Sequence, residues 1–149
     1  MWAFSPEFLM DKTVNNPTLG VVAPRFVGFN ETFIYRQVMG FQRWTPHIFA
    51  EELCHQDLFP FPTEQVDVLP SIQREAVPRF RRQVDHLWQG IRRGNYLGWS
   101  GHKATVLRNQ LQTVQPQVLL AHYGYVGLGI SKIAKDLGIP LVVHFHGGD

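Results

Sequence analysis

The order of apolar and polar positions along the chain predicts short strands alternating with amphipathic helices. Residues 1–17 read as an irregular lead-in closed by the polar turn Asn15-Asn16-Pro17. Residues 18–23 (TLGVVA) then form a short β-branched run ending at Pro24, the form of a buried strand. After a loop holding Gly28, the residues Phe33, Ile34, Val38 and Phe41 recur at helical spacing, with Asn30 placed to cap the helix and Gly40 weakening its last turn. Residues 47–53 (HIFAEEL) and 65–69 predict a second and a third strand, punctuated by Pro60, Pro62 and Pro70. A helix is predicted over 72–91, where Val77, Phe80, Val84, Leu87, Trp88 and Ile91 make one apolar stripe and Pro78 is a candidate start. Gly90, Gly94, Gly98 and Gly101 break the pattern before another helix over 103–114, which stops ahead of Pro116.

The last third is the most regular. It predicts a strand at 118–121, a helix at 127–137 with Gly138 as its C-cap, and a strand at 141–145 after Pro140. Strand, helix and strand at this spacing make a parallel βαβ unit with a right-handed crossover. The whole predicts an α/β fold, a doubly wound and mainly parallel sheet of about five strands, in which the first and fourth strands are neighbours. Large side chains on both faces of 141–145 predict an interior strand, and no helix follows to cover it. The chain therefore reads as one domain, 1–149, of a truncated protein.

Composition narrows the class. The 149 residues suffice for one core, and 44% apolar with 17% charged residues describes an ordinary folded domain. A formal charge of +2 is too small to argue for nucleic acid. The single cysteine, Cys54, cannot close an internal disulfide and reads as a small buried apolar group in a reducing compartment. The opening MWAFSPEFLMDK lacks the basic leader of a secretion signal, and no window approaches the roughly 20 apolar residues that span a bilayer. The expectation is a cytoplasmic protein, free or at the inner membrane face.

Ligands of open parallel sheets bind beyond the carboxyl ends of strands, where the strand order reverses. Residues 26–32, 122–127 and 146–149 fall there, each polar or glycine-rich where its strand is apolar. His144 and His146 are two apart and share one face, so with His122 they imitate a metal site. No carboxylate accompanies them at ligand spacing, and HxH arises readily by chance, so no metal is expected and His144 reads as a hydrogen-bonded core residue. Arg79, Arg81, Arg82, Arg92 and Arg93 near Trp88, Tyr96 and Trp99 suit anionic lipid or a lipid diphosphate, against the plainer reading of a solvated helix face.

Two of these segments carry a resemblance. FNETFIYRQVMGF looks like the "SETFI…E…L" helix start of family 4 glycosyltransferases, and QPQVLLAHYGYVGLGISKIAKDLGIPLVVHFHGGD resembles their "DvvHaHfg…a…la…giPlvvtfHGxD" segment. The resemblance implies a GT-B fold of two facing Rossmann-like halves, of which this chain is the N-terminal, acceptor-side one. It implies retaining transfer from a nucleotide sugar to a glycan or lipid-linked acceptor, with no metal and no cofactor. By position it makes His122 and His146 catalytic. Gly28, Asn30, Glu31, Thr32, Tyr123, Gly147, Gly148 and Asp149 become substrate-binding. Asn30 stands where the family has serine, Leu120 where it has a first histidine, and Gln117 where it has an aspartate. The groups that hold the nucleotide belong to the family's second half.

Two other readings compete. PLVVHFHGGD also resembles the "HGGG" oxyanion strand of α/β-hydrolase esterases, which requires a G-x-S-x-G elbow downstream. The third is a non-catalytic remnant or bare binding module.

Overall fold

The computed structural model describes residues 16–28, 31–70 and 101–147. The helix predicted over 72–91 with its arginine–aromatic surface, the Asn30 cap, and the positions Gly148 and Asp149 lie outside the described residues.

The chain order is β1 (Thr18–Phe26), α1 (Thr32–Met39), β2 (Thr45–Leu53), a single 3-10 turn (Thr63–Gln65), β3 (Val66–Val68), α2 (His102–Val114), β4 (Val118–His122), α3 (Gly124–Leu137) and β5 (Leu141–His144). All five strands are parallel, in the order β3-β2-β1-β4-β5. This is the doubly wound arrangement anticipated from the pattern. β1 and β4 are hydrogen-bonded neighbours, with Leu19 opposite Val118 and Val22 opposite Ala121.

Two apolar layers explain why the sheet forms. On one face Val22, Phe49, Leu119 and Ala121 pack beneath Leu107 and Leu111 of α2 and Val126 and Ile130 of α3. On the other, Val21, Ala23, Ile48, Ala50 and Leu120 meet Ile34 and Val38 of α1. Alternate residues of β1, β2 and β4 thus enter opposite cores, so the buried stretches of these strands read as apolar runs. Gln117 accepts the Thr18 amide and ties the start of β4 to β1. Buried Lys103 pairs with Glu51 and joins α2 to β2; burial lowers the lysine pKa, opposed by that carboxylate.

Several boundaries differ from expectation. β1 continues through Pro24 to Phe26, because past Val22 it pairs with β2 alone and the missing N–H of proline can face its open side. α3 starts three residues early, at Gly124 instead of Gly127. Its glycines are there for space: a Cβ at Gly127 would lie 2.4 Å from a methyl of Val143 on β5. Gly127→Ala should therefore destabilise the fold by about 1–3 kcal/mol, read by urea unfolding. Gly138 does end α3 in the left-handed conformation (φ +67), with the Ile139 amide returning to the Ala134 carbonyl.

β5 lies at the end of the strand order. Among the described residues it is an edge, with Val142 52% exposed and Phe145 67% exposed. Apolar residues on both faces do not distinguish an interior strand from an edge strand with one bare face. Cys54 is only partly buried, not a core residue. Among the described residues, no helix is long and apolar enough to cross a membrane.

Candidate functional site

The strand order reverses between β1 and β4, and the carboxyl ends of both carry unusual backbone. Val27, just past β1, has φ +68, and Tyr123, just past β4, has φ +77. Neither residue is a glycine, and a β-branched side chain rarely adopts this conformation. Each such residue costs about 1–3 kcal/mol and persists only where surrounding structure imposes it. Nothing in the sequence signalled this strain.

At Tyr123 the imposed turn aims the phenol toward α1, where its hydroxyl donates to Glu31 Oε1 at 3.2 Å. Glu31 is held in turn by a tight reversal, its amide donating to the Gly28 carbonyl at 2.8 Å. The exposed Arg25 guanidinium lies 3.7 Å from the same carboxylate oxygen, a weak contact in water. The other oxygen, Oε2, is buried with no hydrogen-bond partner among the described residues. Gly28 packs against this carboxylate: a Cβ there would stand 2.8 Å from Oε2, so a larger residue would displace the Glu31 carboxylate. Thr32 opens α1 beside this pair.

His122 ends β4 and is fully buried. Its Nδ1 is 2.9 Å from Nε2 of His146, and the two rings are nearly parallel. His144, opposite His122 in the sheet, has its ring centre 5.6 Å from that of His122 and 4.2 Å from that of His146. The expectation of a deep His144 is reversed: His122 is the buried histidine, and His144 ends an edge strand where Gln37 of α1 meets its Nδ1 at 3.2 Å. His146 is gripped by aromatic rings, Phe33 at 4.5 Å and Tyr123 at 4.9 Å. Gly147 follows with φ +52.

Burial first, then the like charge that His146 and His144 can carry, holds the His122 pKa down at about 4. His122 is therefore neutral at pH 7. Its Nε2 is buried and lacks a partner among the described residues, an arrangement that costs about 1–3 kcal/mol unless a ligand supplies one. Because the fold depresses this pKa, unfolded chain binds the proton more readily between about 6.5 and 4. The contribution of His122 is complete above that window and is lost as pH falls through it, by about 3 kcal/mol. Urea unfolding at pH 7 and pH 4 should show this loss, and His122→Gln should flatten the difference.

Of the residues singled out in the sequence, Gly28, Glu31, Thr32, His122, Tyr123, His146 and Gly147 all fall at this end of the sheet. Glu31–Tyr123 and His122–His146 are brought into direct contact. The sequence did not reveal the parts played by Gln37 and Phe33, which are ordinary α1 positions until β5 is laid beside them.

No protein-family model matches the chain. A stretch of 56 residues, 37% of this chain, is 43% identical to the UDP-N-acetylglucosamine--N-acetylmuramyl-(pentapeptide) pyrophosphoryl-undecaprenol N-acetylglucosamine transferase of Idiomarina loihiensis. The similar stretch spans only 16% of that protein's length. The five-stranded parallel sheet is a Rossmann-like α/β fold.

Proposed function

We propose that this chain is the acceptor-side half of a glycosyltransferase, which moves a sugar from a nucleotide sugar to a glycan or lipid-linked acceptor. The observation that carries the reading is a buried, neutral histidine with an unsatisfied nitrogen, His122, at the point where strand order reverses. The similar transferase is named for a UDP-sugar donor and a pyrophosphoryl-undecaprenol acceptor, which favours that donor and acceptor chemistry here.

Transfer breaks the bond between the sugar and the nucleotide diphosphate and forms one to an acceptor hydroxyl, whose proton departs. A pKa near 4 makes His122 a weak base at neutral pH, far from the match that efficient proton abstraction needs. Its role is to hold a sugar or acceptor hydroxyl by a hydrogen bond, with His146 fixing the ring through Nδ1. Glu31, positioned by Tyr123, offers a second acceptor for hydroxyls nearby. The motif resemblance carries retention of anomeric configuration and independence from metal ions. Gly148, Asp149 and Asn30 keep their assignment to substrate binding on that resemblance alone.

Stabilising the departing diphosphate requires fixed cations or amide dipoles. The described crevice offers imidazoles, a carboxylate, a phenol and the exposed Arg25. Residues 1–149 alone should therefore release no nucleoside diphosphate from nucleotide sugars, whereas the complete gene product should. Turnover by the isolated 149 residues would overturn the division of labour proposed here.

A further inference from the structure

We propose that His122, His144 and His146 form a binding site for one divalent transition-metal ion of the zinc type. One nitrogen from each ring lies within 4.8 Å of the others. Around a tetrahedral ion with bonds of about 2.0–2.1 Å, ligand nitrogens stand roughly 3.4 Å apart. His122 Nδ1 and His146 Nε2, hydrogen-bonded at 2.9 Å, reach that spacing by giving up the shared proton and separating by about 0.5 Å. His144 ends an edge strand, where a change of side-chain torsion can close the remaining gap.

The chemistry of the set agrees with its geometry. Imidazole suits zinc, copper and nickel, while magnesium and calcium prefer oxygen. Gln37 Oε1 accepts from His144 Nδ1, which fixes the tautomer and leaves the lone pair on Nε2, as outer partners of metal-bound histidines do. Phe33 and Tyr123 pack on the His146 ring and limit its rotation. Three protein ligands leave a fourth position for water or a ligand atom. The ion is not needed for transfer. By replacing the His122–His146 hydrogen bond that fixes the ring it inhibits transfer, and that consequence alone rests on the proposed transferase reading.

The test needs no enzymatic activity. The purified 149-residue chain, stripped with chelator, is titrated with Co²⁺ while visible absorption is followed, and with Zn²⁺ by calorimetry. One equivalent should bind, with the intense d–d bands of tetrahedral cobalt, and Zn²⁺ should displace it. His144→Ala and His146→Ala lie outside the buried core, so both should fold, and each should weaken Zn²⁺ at least about ten-fold. Gln37→Ala should weaken it about ten-fold through loss of the outer hydrogen bond. Absence of tetrahedral cobalt bands, or Zn²⁺ affinity unchanged in both histidine variants, would overturn the site. Failure of transfer assays, by contrast, would leave the binding result standing.

Discussion

Replacing His122 with alanine in the complete gene product should lower sugar-transfer turnover about a hundred- to a thousand-fold, as losing one preorganised donor of 2.7–4 kcal/mol does. The size of the effect follows from burial. In water, a lost hydrogen bond to a sugar hydroxyl is largely replaced by solvent, but His122 is fully covered and held in one orientation by His146. His122→Gln, which keeps a polar group near Nε2, should recover part of the loss. A thermal melt separates this from unfolding, since the substitution removes a buried ring at the end of β4. Near-normal turnover in a well-folded His122→Ala protein would reduce this residue to a structural one.

The second large effect concerns the scaffold. Phe49→Ala should destabilise the domain by about 3–5 kcal/mol, the cost of emptying a large aromatic site in a core. Phe49 is completely buried and lies in the layer shared by Leu69, Leu107, Leu111 and Leu119, so it joins β2 to the helix α2. A domain of ordinary stability, about 5–15 kcal/mol, would lose much of its margin. Leu58, 62% exposed, provides the control: Leu58→Ala should change stability by less than about 0.5 kcal/mol. Guanidinium or urea midpoints at equal slope read both. Equal midpoints for the two variants would mean that the β2–α2 layer is not what stabilises the sheet.

Much of this fold was legible because β1 and β4 carry nearly unbroken apolar runs, and because Gly138 and Pro140 punctuate the βαβ unit plainly. The boundaries that moved did so for tertiary reasons. Gly127 looks like a helix breaker in isolation, yet the close approach of Val143 leaves no room for a larger residue. Pro24 looks like a strand end, but β1 has one strand neighbour at that point. Lys103 reads as a surface residue, and only the fold brings Glu51 to it.

For the site, the sequence placed the residues at the right end of the sheet but not in their relations. The positions of His122, His144 and His146 gave a shared face, while the depth order came out reversed. The Tyr123–Glu31 contact spans 92 residues and depends on a strained backbone that no local pattern announces. Gln37 and Phe33 became part of the site only through their packing against the end of β5.

The most direct test is a coupled transfer measurement on the complete gene product. It would be supplied with a panel of nucleotide sugars, UDP-N-acetylglucosamine among them, and a pyrophosphoryl polyprenol acceptor, with chelator present. Mass spectrometry of the acceptor and chromatography of the nucleotide would be read together. The acceptor should be heavier by one sugar, nucleoside diphosphate should be released in equal amount, and both should be suppressed in His122→Ala. No glycosylated acceptor with any donor, or unchanged coupling in the His122 variant, would contradict the proposed transferase reading.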